Sequence, residues 1–311
     1  MKIYPDCTII ISPNRTENFI SLDSKDYQLK YLNDNIETNK GGNSNLFLLM
    51  DLQEENEFVI KLCKVNLLKT SNNNNRLLRF KREIDALKKA KDNKLNKVID
   101  ILSEGEVHCK STHNGENFKF LYFITEKGVC DLSDYILDGN LIDNTSSKVQ
   151  ICKELIDSLE QLHSLGIYHR DIKPDNILFF SDGSWKICDL GLITYRGEDL
   201  SMIDKSYNMI GPKGWLSPES TNRYYTFGKS TEFTFDSNID ELSDIFQLGK
   251  VFWFIFQTNI PIGRIRRKDF RIEDDGIYGI LIWMLSHNKS KRPNIKLLSA
   301  EFQRIISKKY V

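Results

Sequence analysis

Between His169 and Phe179 the chain reads HRDIKPDNILF, and eighteen residues after Asp171 comes Asp189, in KICDLG. Lys173 follows Asp171 at +2 and Asn176 follows it at +5. These types in this order suit phosphoryl transfer. Nucleotide phosphates carrying a divalent ion need hard oxygen ligands, which the Asp189 carboxylate and the Asn176 side-chain carbonyl supply. Asp171 is short and acidic, suited to orienting a substrate hydroxyl and accepting its proton late in the transfer. Lys173 would set a positive charge beside the migrating group, where negative charge has to be stabilised. An ordinary polar turn between buried strands accounts for His169–Arg170–Asp171 alone, but not for Asn176 and Asp189 in register with it.

Such residues need elements to hold them. The 311 residues, with 40% hydrophobic types and only 7 Pro, exclude a disordered or collagen-like chain and allow two modest lobes or one large domain. Lys plus Arg (43) balance Asp plus Glu (43), so there is no global nucleic-acid footprint. Charge is uneven along the chain: residues 1–60 carry five basic and ten acidic residues, and residues 61–100 carry twelve and four. Asn45–Leu52 and Glu57–Val65 are apolar, β-prone runs that suggest a hairpin, and Lys119–Glu126 reads as another strand. The Asn-rich stretch Ser71–Asn75 reads as a surface loop. After it, Leu77, Phe80, Ile84 and Leu87 repeat at helical spacing and put Glu83 on the inward side of a helix. From about residue 145 the period is mainly helical, with one stripe at Ile151, Leu155, Leu159 and Leu162 and another at Ile245, Leu248, Phe252 and Phe256. A sheet-rich first third and a helical remainder predict an α+β molecule of two lobes. The six scattered Cys lack metal-ligand spacing and predict a reduced, cytoplasmic protein without a zinc site. No apolar run is long enough for a membrane span, and no secretion signal is seen.

The HRDIKPDN segment and the triplet Asp189–Leu190–Gly191 resemble the protein kinase catalytic loop and its metal-binding motif, and the match to Ser/Thr kinases extends from about Lys30 to the end. The resemblance implies a bilobal fold: an N-terminal antiparallel sheet with one main helix (small lobe, 30–126), a hinge at 126–131, a larger helical lobe (132–311) and a nucleotide cleft between the lobes. Residues 1–29 are then an extension that packs on the small lobe or serves as a short regulatory arm. It further implies ATP with Mg²⁺ or Mn²⁺ as cofactors, with Asn176 and Asp189 as metal ligands. Phe58–Lys61 resembles the strand whose Lys contacts the α and β phosphates, making Lys61 that residue and Glu83 its ion-pair partner. Lys64, the competing choice, is expected on the opposite, solvent side. Leu46, Val59 and Leu178 are implied to sandwich the adenine, with Thr125 as gatekeeper and Glu126, Lys127 and Gly128 as hinge.

The phosphate-covering loop departs from the family pattern, keeping Gly41 in place with Gly42 beside it. Ser217–Pro218–Glu219 resembles the end of an activation segment, with Glu219 paired to Arg292 and Asp244 holding the catalytic-loop backbone. Within that segment Thr194, Ser201, Ser206 and Tyr207 are candidate phosphosites, for which Arg170 offers an anion partner. Lys173 and the Pro–Glu segment end favour a protein substrate with a Ser/Thr acceptor, the protein itself included, over a small-molecule phosphotransferase. The alternative is a catalytically weak or silent kinase-fold scaffold, and it rests on the worn glycine loop. Basic stretches at Lys61–Lys97 and Gly263–Asp269 read as a solvated helix face and an exposed turn rather than a nucleic-acid groove. The sequence assigns no oligomeric state.

Overall fold

The computed structural model describes the chain outside residues 13–17, 33–43, 55, 71–73, 142–143, 199–202, 205–209, 227–234 and 310–311. It divides into two compact units, Met1–Lys91 with Ile99–Lys127, and Asp92–Val98 with Gly128–Val311.

The first unit opens with β1 (Lys2–Ile3) and β2 (Ile9–Ile10), a short antiparallel pair. Then come β3 (Phe19–Leu22), β4 (Lys25–Lys30), β5 (Ser44–Asp51), β6 (Glu57–Cys63), helix α1 (Asn75–Asp92), β7 (Ile101–Lys110) and β8 (Asn117–Glu126). The last six strands form one antiparallel sheet in the order β3-β4-β5-β6-β8-β7. Directly paired residues share a face, so the register sorts side chains. Leu46, Lys61 and Phe123 form one cross-strand row, and Leu48, Val59 and Thr125 the next on that face. Phe47, Ile60 and Ile124 belong to the other.

Helix α1 packs on the Lys61 face: the Phe80 ring lies 5.2 Å from the Phe123 ring. Asn74 caps it, its Oδ1 accepting from the amides of Arg76 (3.0 Å) and Leu77 (3.3 Å). The Asn-rich stretch expected as a surface loop therefore ends as a helix cap. On the opposite face, Phe47, Leu49, Ile60 and Leu62 join one core with Ile3, Ile9, Ile11, Ile20, Leu22 and Leu29. The chain before residue 30 thus contributes two strands to the sheet and a hairpin to its core. The buried Asn45 amide fixes that hairpin, accepting from Ile9 N (3.1 Å) and donating to Cys7 O (2.8 Å).

The second unit contains β9 (Cys130–Asp131), α2 (Leu132–Leu137), α3 (Thr145–Ser164), β10 (Ile167–Tyr168), β11 (Ile177–Phe179), β12 (Trp185–Ile187), β13 (Thr194–Tyr195), α4 (Pro218–Thr226), α5 (Glu241–Gln257), α6 (Asp275–Met284) and α7 (Ile295–Lys309). Helix α5 is buried on nearly every side, including Ile245, Leu248, Phe252 and Phe256, and so forms its centre. Asp240 and Ser243 start it with a reciprocal capping box. Residues 92–98, expected within the small lobe, cluster here instead. Lys97 explains this: its Nζ meets Glu154 at 2.8 Å, its amide donates to Gln161 (3.1 Å), and its carbonyl accepts from Ile187 N (3.0 Å).

An antiparallel sheet with one main helix, followed by a helical region, is the α+β arrangement expected from the periodicity. All six cysteines are free, and burial pushes the Cys63 thiol up to about 12 and that of Cys109 up to about 11. Among the described residues no helix is long and apolar enough to cross a membrane.

Candidate active site

In the first unit, Lys61 from the middle of the sheet reaches Glu83 on α1, its Nζ donating to Oε1 at 2.7 Å and to Oε2 at 3.0 Å. Both are buried, at 9% and 3% exposure, so each charge depends on the other to offset its lost hydration. Lys64 lies one residue past β6, with its carbonyl accepting from Arg76 Nη1 at 3.1 Å. It is half-buried rather than solvent-facing, and burial pushes its pKa down. Leu46, Val59 and Thr125 share the Lys61 face. At the end of β8, Glu126 Oε1 accepts from Asp100 N (3.0 Å) and Lys127 pairs with Glu57 (2.5 Å). Gly41 and Gly42 lie outside the described residues.

In the second unit the segment from His169 to Asn176 is held from α5. Asp244, fully buried, accepts the amides of His169 (2.8 Å, Oδ2) and Arg170 (2.7 Å, Oδ1), and its Oδ2 also meets His163 Nε2 at 3.0 Å. Gln247, one turn further along the helix, donates to Arg170 O (3.1 Å) and accepts from Ile172 N (3.1 Å). These clamps hold Arg170 in the left-handed region, at φ 66°. Asp171 and Asn176 then sit side by side: Asn176 Nδ2 donates to both the main-chain carbonyl and the Oδ2 of Asp171, each at 2.8 Å. Cys188 N donates to Asn176 O (3.0 Å) and Cys188 O meets His169 Nε2 (3.0 Å), which ties the residue before Asp189 to the same loop. Asp189 itself is left-handed, at φ 58°.

Burial raises the Asp171 pKa, and the neighbouring Asp189 charge adds to it, against Lys173, His169 and the Asn176 hydrogen bond. Asp171, Lys173, Asn176 and Asp189 are therefore one electrostatic cluster. Leu178 belongs to the same unit, on β11, and a Cβ on Gly128 would come within 3.1 Å of its Cβ. A side chain at 128 would require Leu178 to give by a few tenths of an ångström.

Beyond Asp189, the Arg170 guanidinium reaches forward. Its Nε donates to Leu192 O (2.5 Å), Nη2 to Ile193 O (3.1 Å) and Nη1 to Asp204 Oδ2 (2.6 Å). Sequence reading offered Arg170 to a phosphate; an aspartate occupies it instead. Burial pushes the guanidinium pKa down, and the Asp204 charge opposes that. Thr194 is buried in β13, its Oγ1 donating to Tyr195 O at 3.4 Å, which makes it a poor acceptor for modification. Ser201, Ser206 and Tyr207 lie outside the described residues. Gly211, at φ 109°, lets the segment return: a Cβ there would stand 3.0 Å from Arg170 O. Glu219 and Arg292 then form a buried bidentate pair at 2.7 and 3.0 Å, with Ser243 Oγ donating to Glu219 at 2.7 Å. Burial drives the Glu219 pKa up, but the Arg292 guanidinium overcomes it and holds the carboxyl below the usual glutamate value.

Two of the positioning groups, Asp204 and Gln247, were not read from the sequence. Gln247 carried a signal, since a residue at +3 from Asp244 shares its helix face. Asp204 carried none.

The family model for the protein kinase domain matches residues 37–310. The chain belongs to the protein kinase domain family. Among its relatives is serine/threonine-protein kinase cds1 of Schizosaccharomyces pombe, 29% identical over 246 residues, covering 78% of this chain and 48% of that protein. A probable serine/threonine-protein kinase PknB of Bifidobacterium longum is 26% identical over 225 residues, 71% of this chain and 29% of its own length. Serine/threonine-protein kinase shk1/pak1 of Schizosaccharomyces pombe is 34% identical over 146 residues, 44% of this kinase-family chain and 22% of that protein. The chain spans about half or less of the length of these curated relatives.

Proposed function

We propose that this kinase-family chain transfers the γ-phosphoryl group of Mg-ATP to Ser or Thr hydroxyls of protein substrates, itself included. The observation that supports this most is the Asp171–Asn176 pair, buried and clamped through the catalytic-loop backbone by Asp244 and Gln247. A rigid acid beside an amide oxygen is what in-line transfer asks of a protein, because the chemistry is mostly positioning and charge stabilisation.

The donor set fits a divalent ion. The Asn176 nitrogen is committed to Asp171, leaving its oxygen as the ligand, and Asp189 adds a carboxylate. A cation would also relieve the repulsion that Asp189 exerts on Asp171. When bound, the ion would neutralise charge on the phosphates. Asp171 orients the acceptor hydroxyl; as its oxygen bonds to the γ-phosphorus and the bond to ADP breaks, the proton passes to the Asp171 carboxylate. Lys173 stabilises the moving charge, and Lys61, steadied by Glu83, holds the α and β phosphates. The same reading assigns Leu46, Val59, Thr125 and Leu178 to recognition of the adenine and the backbone of Glu126–Gly128 to hydrogen bonds with it. The first test is Mg²⁺-dependent incorporation of labelled γ-phosphate into generic Ser/Thr acceptors. Wild type is expected to label and Asp189→Asn, folded, is not; a folded, nucleotide-binding wild type that labels nothing favours the scaffold reading.

A further inference from the structure

Lys250 lies on α5 one turn beyond Gln247, half-buried, and burial pushes its pKa down with no carboxylate to oppose it. Its Nζ donates to Gly214 O at 2.9 Å and stands 5.5 Å from the centre of the Phe246 ring. One carbonyl and one ring face leave an ammonium with three protons short of acceptors, and a half-buried charge of this kind favours an anion. Its surroundings say where that anion would come from. Gly211 stands against the catalytic loop, since a Cβ there would be 3.0 Å from Arg170 O and 3.2 Å from Gln247 Nε2. The chain from Gly211 to Gly214 therefore starts beside the residue that precedes Asp171, and it covers at most about 11 Å, the reach of three extended residues. Gly214 in turn lies against the loop after α5: a Cβ there would be 3.6 Å from Ile260 Cδ1. Trp215 seats the same strip on α5, its ring 5.8 Å from that of Phe254.

Two residues past Ile260, Ile262 is 90% exposed, and Gly263 turns the chain at φ 71°. Of the bases that follow, Arg267 is spent within the fold: Nε donates to Asp275 (2.7 Å), Nη1 to Phe270 O (3.0 Å) and Nη2 to Ile272 O (3.1 Å). Arg264, Arg266 and Lys268 are exposed and, like Lys213 next to Gly214, have no ion-pair partner among the described residues. The exposed acids in the same stretches are Asp175 and Asp269, and the Asp269 carboxylate already accepts from Arg266 N at 2.7 Å. A solvated basic turn accounts for the three outer bases, but not for a half-buried Lys250 without an anion beside the catalytic loop. We infer that this strip reads carboxylates: the Ser/Thr acceptors of this chain carry Asp or Glu within about four residues of the hydroxyl, met by Lys213 and Lys250 close to Asp171 and by Arg264, Arg266 and Lys268 further out. This rests on the kinase reading above and adds to it the class of substrate.

The test uses the full chain, Mg-ATP and peptides of equal length with a single Ser, in which each nearby position carries Asp, Gln or Arg in turn. The best acidic peptides are expected to exceed their Gln counterparts by about tenfold in kcat/KM, the combined effect of two or three partly exposed charge pairs, mostly through KM. Added salt should shrink that ratio. Arg264→Glu with Arg266→Glu, and separately Lys213→Glu, should bring the acidic-to-neutral ratio down and raise the use of Arg-flanked peptides. A change of preferred charge is a result that a disturbed fold does not produce. Lys250→Met should lower the ratio without that reversal. Equal kcat/KM for acidic and neutral peptides, a preference for Arg flanks in wild type, or a ratio indifferent to all these variants overturns the inference. So does binding of single-stranded or duplex DNA that Arg264→Glu with Arg266→Glu abolishes while the peptide ratio stays near one, which assigns the strip to a phosphate backbone. Should wild type label no peptide at all, the kinase reading fails, and fluorescence anisotropy with the same peptides decides the point separately: tighter binding of the acidic ones supports the strip, and equal affinity contradicts it.

Discussion

The proposed function gives Lys61 and Asp171 different work, and their variants should separate. Lys61→Met removes the charge assigned to the α and β phosphates and leaves Glu83, 3% exposed, without the ammonium that offsets its burial. Nucleotide affinity and the placement of α1 should both suffer. Asp171→Asn keeps the side-chain volume and leaves the Lys61–Glu83 pair alone. It should retain near-normal ATP affinity while turnover falls by roughly 10²-fold or more, the lower range for a general base. Calorimetric titration with nucleotide alongside phosphorylation rates checks both; wild-type turnover in Asp171→Asn contradicts the base assignment. Asp171, Lys173 and Asn176 were legible in the sequence because they lie within six consecutive residues, where spacing alone carries information. The Glu83 position followed from helical period. Asp204 was not legible: its partner is 34 residues away, and neither periodicity nor motif links the two.

Among the elements, the first turn of α4 is tied by the buried Glu219–Arg292 ion pair. Because the folded Glu219 carboxyl titrates below its ordinary value, its stabilisation is present above about pH 4.3, the usual glutamate pKa, and is lost as pH falls through the depressed folded value. Glu219→Gln should cost about 3–5 kcal/mol at neutral pH, as expected when one member of a buried pair is removed. The Tm gap to wild type should narrow as pH drops below about 4. Thermal melts of both proteins across that range check it, and a pH-independent gap contradicts it.

The N-terminal hairpin makes a second element-scale prediction. Ile9 is fully buried in the sheet core, so Ile9→Ala should cost about 2–5 kcal/mol and melt the first unit earlier; an unchanged Tm would mean that residues 1–11 do not support the sheet. Strands β3 and β4 went unread because both are short and polar on one side. The signal was present nonetheless in Asp23–Ser24, a two-residue turn with φ of 49° and 67° between alternating runs.

For the whole molecule, the order of elements followed from the drift of apolar spacing from strand-like to helical, which is why the α+β class was readable before any single boundary. The boundary that slipped, at residues 92–98, turns on Lys97, whose partners Glu154, Gln161 and Ile187 lie more than fifty residues on. Long-range pairing of that kind leaves no local trace. Relatives carrying kinase names are matched over only part of their length, so the Ser/Thr protein substrate is a proposal that rests on this chain's own residues. The most direct measurement is identification of the phosphorylated residue type after incubating phosphate-free protein and a mixed Ser/Thr/Tyr peptide pool with Mg-ATP. Wild type is predicted to yield phosphoserine or phosphothreonine, with ADP formed in equal amount, and Asp171→Asn to yield neither above background. Absence of any phosphoamino acid with folded wild type, or product levels indifferent to Asp171, would contradict the central claim.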